Sequence, residues 1–180
     1  MLRGRLLVAA PPLIDPNFDR TIVLMLEHGD EGALGVVLNR PSESSVYDVF
    51  PEWHELSSPP AVVFAGGPVA TDAVIALARR RHVAVEGFQQ IVDDIGTVDL
   101  ADDPLELGAA LQSLRVFAGY AGWSPGQLEG ELEQGGWFVV DLEPTDPFVD
   151  NPERLWRDVL RRQRGRLALF SNYPEDATVN

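Results

Sequence analysis

Gly122-Trp123-Ser124-Pro125-Gly126 fits G-x-S-x-G, the pattern in which a tight strand-to-helix turn exposes a nucleophilic serine. A serine hydroxyl attacks only when a base removes its proton, so the motif needs a histidine in reach and a carboxylate behind it. All three histidines, His28, His54 and His82, precede Ser124, whereas the hydrolase order places the histidine last. The same residues also have a complete structural reading. Ser124 as N-cap, Pro125 at the first helical position and Gln127 at the third form a capping box, with Trp123 and Leu128 as a hydrophobic staple. Gly135-Gly136 then ends the helix through a left-handed residue. The expectation is a short helix specified at both ends and no catalytic residue within it. Any direct role would fall to the exposed edge of Trp123 or Gln127 before the Ser124 hydroxyl.

Other chemistries have less to work with. Cysteine is absent, which removes disulfides, thiol nucleophiles and thiolate metal sites. The histidines are far apart and none has a second ligand at helical spacing, so His28 reads as a turn or surface residue and no metal site is expected. Asp93-Asp94, Asp99, Asp102-Asp103 and the carboxylates from Glu143 to Asp150 miss the calcium-loop spacing and read as solvated. Two sets of residues remain as recognition candidates. Asn17, Arg20, Asn39 and Arg40 are polar residues at strand ends, where loops carry function on a rigid sheet; the competing reading is that they tie loops together through backbone hydrogen bonds. Gly66-Gly67 follows an apolar run and precedes a predicted helix, an outline that could cradle an anion but lacks the rest of a P-loop or dinucleotide fingerprint.

The elements that must position these residues are short. Leu6 to Ala10, Thr21 to Leu26, Leu34 to Leu38 and Ala61 to Ala65 are apolar, largely β-branched runs that read as buried strands, with a hairpin loop at Glu27 to Gly32. The spacing predicts a helix from about Asp72 to Arg81. Gln90-Ile91-Val92 and Ile95 to Leu100 read as strands, Asp103-Pro104 as a capped helix start, and Arg115 to Tyr120 and Trp137 to Leu142 as strands. Leu155, Trp156, Val159 and Leu160 share one face of a helix begun at Asn151-Pro152, and Leu167 to Phe170 reads as a last strand before a frayed tail from about residue 172. Trp137 and Trp156 are predicted to be core residues, and Trp53, in a polar loop, to be exposed.

Length and composition bound the rest. The 180 residues suit one domain, 1–180, with 45% hydrophobic residues and no linker or repeat. A net charge of −14 repels polyanions. Direct nucleic-acid binding is therefore disfavoured. No apolar stretch approaches a membrane span, and the start meets two prolines with no signal-peptide cleavage site, so the protein is placed in the cytoplasm.

Laid end to end, the ordered blocks Gly4 to Pro11, Asp15 to Leu24, Glu27-His28, Gly32 to Pro41, Gly66 to Val69 and Gly119 to Glu129 resemble the AlgH/YqgE family of bacterial proteins over almost the whole length. The resemblance implies a single α/β domain whose mixed sheet bends toward a pseudo-barrel with helices packed outside. It brings an association with transcriptional regulation of alginate production, and no catalytic residue or cofactor to carry over. The reading is a non-catalytic binding or regulatory module acting through a protein partner or small ligand, with Asn17, Arg20, Asn39, Arg40, Gly66, Gly67, Trp123 and Gln127 as candidate binding residues. The alternative is an enzyme on a small anionic substrate, phosphorylated or acyl, held at the Gly66-Gly67 turn.

Overall fold

The computed structural model describes residues 1–11 and 18–173. Its strands are β1 (Leu6–Ala9), β2 (Ile22–Gly29), β3 (Gly32–Val37), β4 (Pro41–Ser45), β5 (Val62–Ala65), β6 (Val69–Arg80), β7 (Gln89–Val92), β8 (Ile95–Val98), β9 (Leu111–Trp123) and β10 (Trp137–Val140). They form one mixed sheet in the order β10-β1-β2-β3-β9-β6-β8-β7, with β4 and β5 branching from β9. Every pairing is antiparallel except β5 with β9.

The apolar runs carry no alternation because both faces of the sheet are covered. Leu6, Leu7, Val8 and Ala9 are all fully buried, with Leu6 and Val8 in a central cluster and Leu7 and Ala9 in an outer one. The central cluster joins residues from strands far apart in the sheet order, including Leu24, Val36, Leu77, Ile95 and Phe117. The sheet therefore curls around it. Arg3 completes the curl without closing a barrel: its guanidinium donates to the Gln90 carbonyl at 2.7 Å, just before β1 and within β7. The fold expected from the resemblance, a mixed sheet bent in this way within one α/β domain, is the one observed.

Helices cover the outside and one end. Helix α3 (Gln127–Glu133) buries Leu128 in the outer cluster with Trp123 and Trp137. On the other flank, α1 (Val46–Val49), α2 (Pro104–Leu107) and the 3-10 segment Pro51–Leu56 cover β6, β8 and β9 through Val46, Leu107 and Trp53. Asp103 caps α2 by accepting from the Leu105 N–H, as the sequence predicts. Helix α4 (Leu155–Arg161) buries Leu155, Trp156, Val159 and Leu160 in the central cluster, the face expected of it.

Three expectations are corrected. Asp72 to Arg81 is not a helix but most of β6. Ile75 and Leu77 face the central cluster while Ala76 and Ala78 face its neighbour, so the segment is apolar on both faces and its period is masked. Leu167 to Phe170 lies in a 3-10 segment, Gly165–Asn172, that packs Phe170 on Phe138 with ring centroids 5.2 Å apart and leaves Leu169 exposed. Trp53 is buried at 2% exposure, its indole N–H donating to the Leu100 carbonyl. The polar residues around it misled because a 3-10 turn aims that one ring at the sheet. Of the tail expected to fray from about residue 172, Asn172 ends the 3-10 segment begun at Gly165 and the Tyr173 N–H donates to the Phe170 carbonyl, while residues 174–180 lie outside the described residues.

Candidate ligand-binding site

The register of the central strands gives the curl two ends. At one, Ala9, Ile22 and Asn39 lie together; at the other, Arg3, Leu26 and Leu34. The first end is closed. The Trp156 indole donates to the Ala9 carbonyl at 2.9 Å, and Arg20 lies over the Trp156 ring at 4.5 Å while donating to the Tyr173 carbonyl. Asn39 accepts from the Ile22 N–H at 3.0 Å and donates to the Arg20 carbonyl at 2.9 Å. Arg40 donates to the Asp19 carbonyl. Arg20, Asn39 and Arg40 are thus brought together: Asn39 and Arg40 hold the β2 entry to the β3 exit through backbone groups, and the Arg20 guanidinium ties the β2 entry to Tyr173. Asn17 lies outside the described residues.

The second end is open. A cleft of about 530 Å³ enters the curl there, with walls of Leu26, Leu34, Ile75, Ile91, Phe50 and Val98. Apolar walls with a few polar groups at the mouth are the usual make-up of a small-molecule site. Here those groups are Arg3, Glu27, Gln89 and Asp99, all exposed, with Thr97 part-way in. The cleft forms because β8 stops at Val98, opposite Ala76, and leaves the earlier part of β6 uncovered, with Val74 42% exposed. Asp99 turns the chain away, its Oδ1 accepting from the Ala101 N–H. No contact among the described residues engages the Glu27 carboxylate. These residues escaped sequence reading because each comes from a different strand end; the missing signal was the length of β6 against β8.

A family model described as AlgH-like matches residues 6–168. The chain belongs to the AlgH-like family. It is 52% identical to a UPF0301 protein of Streptomyces avermitilis over 99% of this chain and 95% of the relative. A UPF0301 protein of Mycobacterium tuberculosis is 44% identical over 98% and 90%. Solved structures similar to it include protein DIP2367 of Corynebacterium diphtheriae, with TM-score 0.89 at 34% identity over 96% and 93% of the two chains, and AlgH of Pseudomonas aeruginosa, with TM-score 0.70 at 28% over 97% and 95%.

Several of the blocks that carry the AlgH-like resemblance meet as backbone packing. A Cβ on Gly66 would stand 2.4 Å from the Gly119 carbonyl, and one on Gly67, at φ +153°, would stand 2.2 Å from the Tyr120 carbonyl. The pair is there to let β5 and β9 approach. It leads into a strand, not a helix, so the helix N-terminus on which the alternative of an anion cradle rested is not there. The Gly122-Trp123-Ser124-Pro125-Gly126 block is likewise a scaffold, with one correction. Gly126, in a left-handed conformation, is the N-cap of α3, and Ser124 lies before it. Half of the capping box survives, since Gln127 accepts from the Ser124 N–H at 3.0 Å and from its hydroxyl at 3.2 Å.

Glu131, which sequence reading passed over, is the centre of this block. One carboxylate oxygen accepts from the indoles of Trp123 and Trp137, at 3.1 and 3.0 Å, and the other from the Gln127 amide. Trp123 is consequently only 5% exposed, which corrects the expectation of an exposed edge, while Gln127 is exposed. His28 is corrected too. Its side chain is nearly buried, accepting from the Leu2 N–H at Nδ1 and meeting Glu129 at 2.5 Å through Nε2. Accepting at Nδ1 places the proton on Nε2, so the ring points at Glu129 and is no base for Ser124. Arg115, also missed, is 1% exposed and donates to the carbonyls of Ser58, Pro59, Pro147 and Val149. Burial pushes its guanidinium down to about 10, still well above neutral pH, so it ties these loops to β9 as a cation.

Proposed function

We propose that this AlgH-like protein is a non-catalytic cytoplasmic binding module whose ligand is a small molecule with an apolar body, received at the open end of the curled sheet. The observation that carries the reading is the cleft itself: an opening of about 530 Å³ with apolar walls and polar groups at its mouth, left uncovered at one end of the curled sheet. The polar turn residues that stood as alternative recognition groups are engaged with backbone carbonyls at the other end. A regulatory role follows if occupancy alters the seam between Arg3 and Gln90, which borders the cleft.

The test is a thermal-shift screen with amphipathic metabolites on the wild type and on Val74→Trp. Val74 lines the cleft and is exposed, so the larger ring can occupy the mouth without overpacking the core. A ligand at about 100 times its dissociation constant adds roughly 2.7 kcal/mol to the wild type. The variant should melt at the wild-type temperature and lose that gain. Ligands that stabilise both proteins equally would place the site elsewhere.

A further inference from the structure

Resting on the reading of the open-end cleft as the ligand site, we infer that its ligand carries a cationic head: the cleft takes an alkylammonium-like amphiphile, with the chain among Leu26, Leu34, Ile75 and Ile91 and the amine at the Glu27 and Asp99 carboxylates. Three observations converge on that class. The mouth presents two carboxylates and one guanidinium, and the guanidinium of Arg3 is committed to the Gln90 carbonyl at 2.7 Å, holding the seam of the curl. Glu27 has no ion-pair partner among the described residues and Asp99 accepts only a backbone N–H, so against the single positive charge of Arg3 the mouth keeps a net negative charge. The whole chain adds a net charge of −14, which raises the local concentration of cations and lowers that of anions at any exposed mouth.

The same surface argues against an extended peptide as the occupant. The uncovered part of β6 has a free side where a strand could add. However, its register against β9 jumps between Val69 and Val74, and Ala70 sits at φ +45°. A bulge of this kind spoils the regular row of N–H and C=O groups that strand addition needs. An open cleft with apolar walls and a net acidic mouth remains, and that geometry suits a compact molecule with one charged end.

The experiment compares octylammonium, octanoate and 1-octanol, three heads on one chain, by amide chemical-shift titration of the full-length protein at low salt, following Val74 to Ala76 and Thr97 to Asp99. Octylammonium should bind at least tenfold tighter than octanoate, with octanol between them, and added salt should narrow the gap. Replacing both carboxylates, E27Q with D99N, should cut octylammonium affinity about tenfold and leave octanol unchanged. Both side chains are exposed and D99N keeps a side-chain oxygen to accept from the Ala101 N–H, so the fold should be kept, and an unchanged melting temperature checks it. Octanoate binding as well as octylammonium, or a double variant with unchanged amine affinity, would overturn the cationic head while leaving the cleft reading intact. Shifts with none of the three compounds would overturn the cleft as a ligand site and this inference with it.

Discussion

The two ends of the curled sheet are built from the same strands and finished in opposite ways. At the end holding Ala9, Ile22 and Asn39, α4 covers the apolar interior, and Arg20, Asn39 and Arg40 donate to backbone carbonyls beside it. At the end holding Arg3, Leu26 and Leu34, apolar walls remain uncovered and two carboxylates face solvent. Polar residues flanking buried strands satisfy backbone groups that burial would otherwise orphan. A ligand site is more reliably sought where apolar surface stays open, and here the two criteria point to opposite ends of one molecule.

Trp156→Ala should disturb the closed end most. The ring is 2% exposed, fills the closed end and anchors Ala9 through its N–H. Its removal should cost about 3 to 5 kcal/mol in urea denaturation. The cleft at the far end should nonetheless keep its ligand affinity below the melting transition. A small loss of stability would show that Trp156 is not the anchor of the closed end, and a ligand affinity that falls with stability would show that the two ends are not independent.

Gly67→Ala tests the close approach of the chain after β5 to β9. The added Cβ meets the Tyr120 carbonyl at 2.2 Å, and backbone cannot yield as a flexible side chain would. A loss of roughly 1 to 3 kcal/mol is expected from the forced backbone shift. If Gly67 were instead an anion contact, the variant would keep its stability and lose a phosphate-dependent shift; wild-type stability in Gly67→Ala would reopen that role.

How much of this was legible in the sequence divides along the same line. The closed end was largely readable: the helical face Leu155, Trp156, Val159 and Leu160, the strands around it, and the competing reading that Asn39 and Arg40 bond to backbone all follow from local patterns. The open end was not. It depends on β6 being a strand longer than its neighbour β8, and the run Ala73-Val74-Ile75-Ala76-Leu77-Ala78, apolar on both faces, gives helix and strand equal support until β9 pairs with it. Glu131 escaped for a related reason. A glutamate on a short helix looks solvated until Trp123 and Trp137, which are 14 residues apart, are folded onto it.

The smallest expected effect concerns how the open end is held. Leu2 precedes Arg3, the residue that holds the seam, and its N–H is fixed by His28, whose other nitrogen is oriented by Glu129. The hydrogen bond from His28, aided by a backbone N–H, holds the Glu129 carboxyl below its ordinary value of 4.5. The folded protein therefore binds this proton less readily than the unfolded chain does. The sign follows: the contact's contribution is complete above the ordinary value and is lost as pH falls through the lowered one. Glu129→Gln removes a titrating charge, so the gap in melting temperature between wild type and variant should be constant from pH 7 to 5 and shrink on further acidification. Glu129 is half-exposed, so solvent screening keeps the gap small. Hydrogen exchange at Leu2 gives the sharper readout: its amide should lose protection in that acid range while Ile22 and Leu38, at the closed end, keep theirs. Equal loss at both ends would mean that acid acts on the whole sheet and that the His28–Glu129 pair has no special hold on the mouth of the cleft.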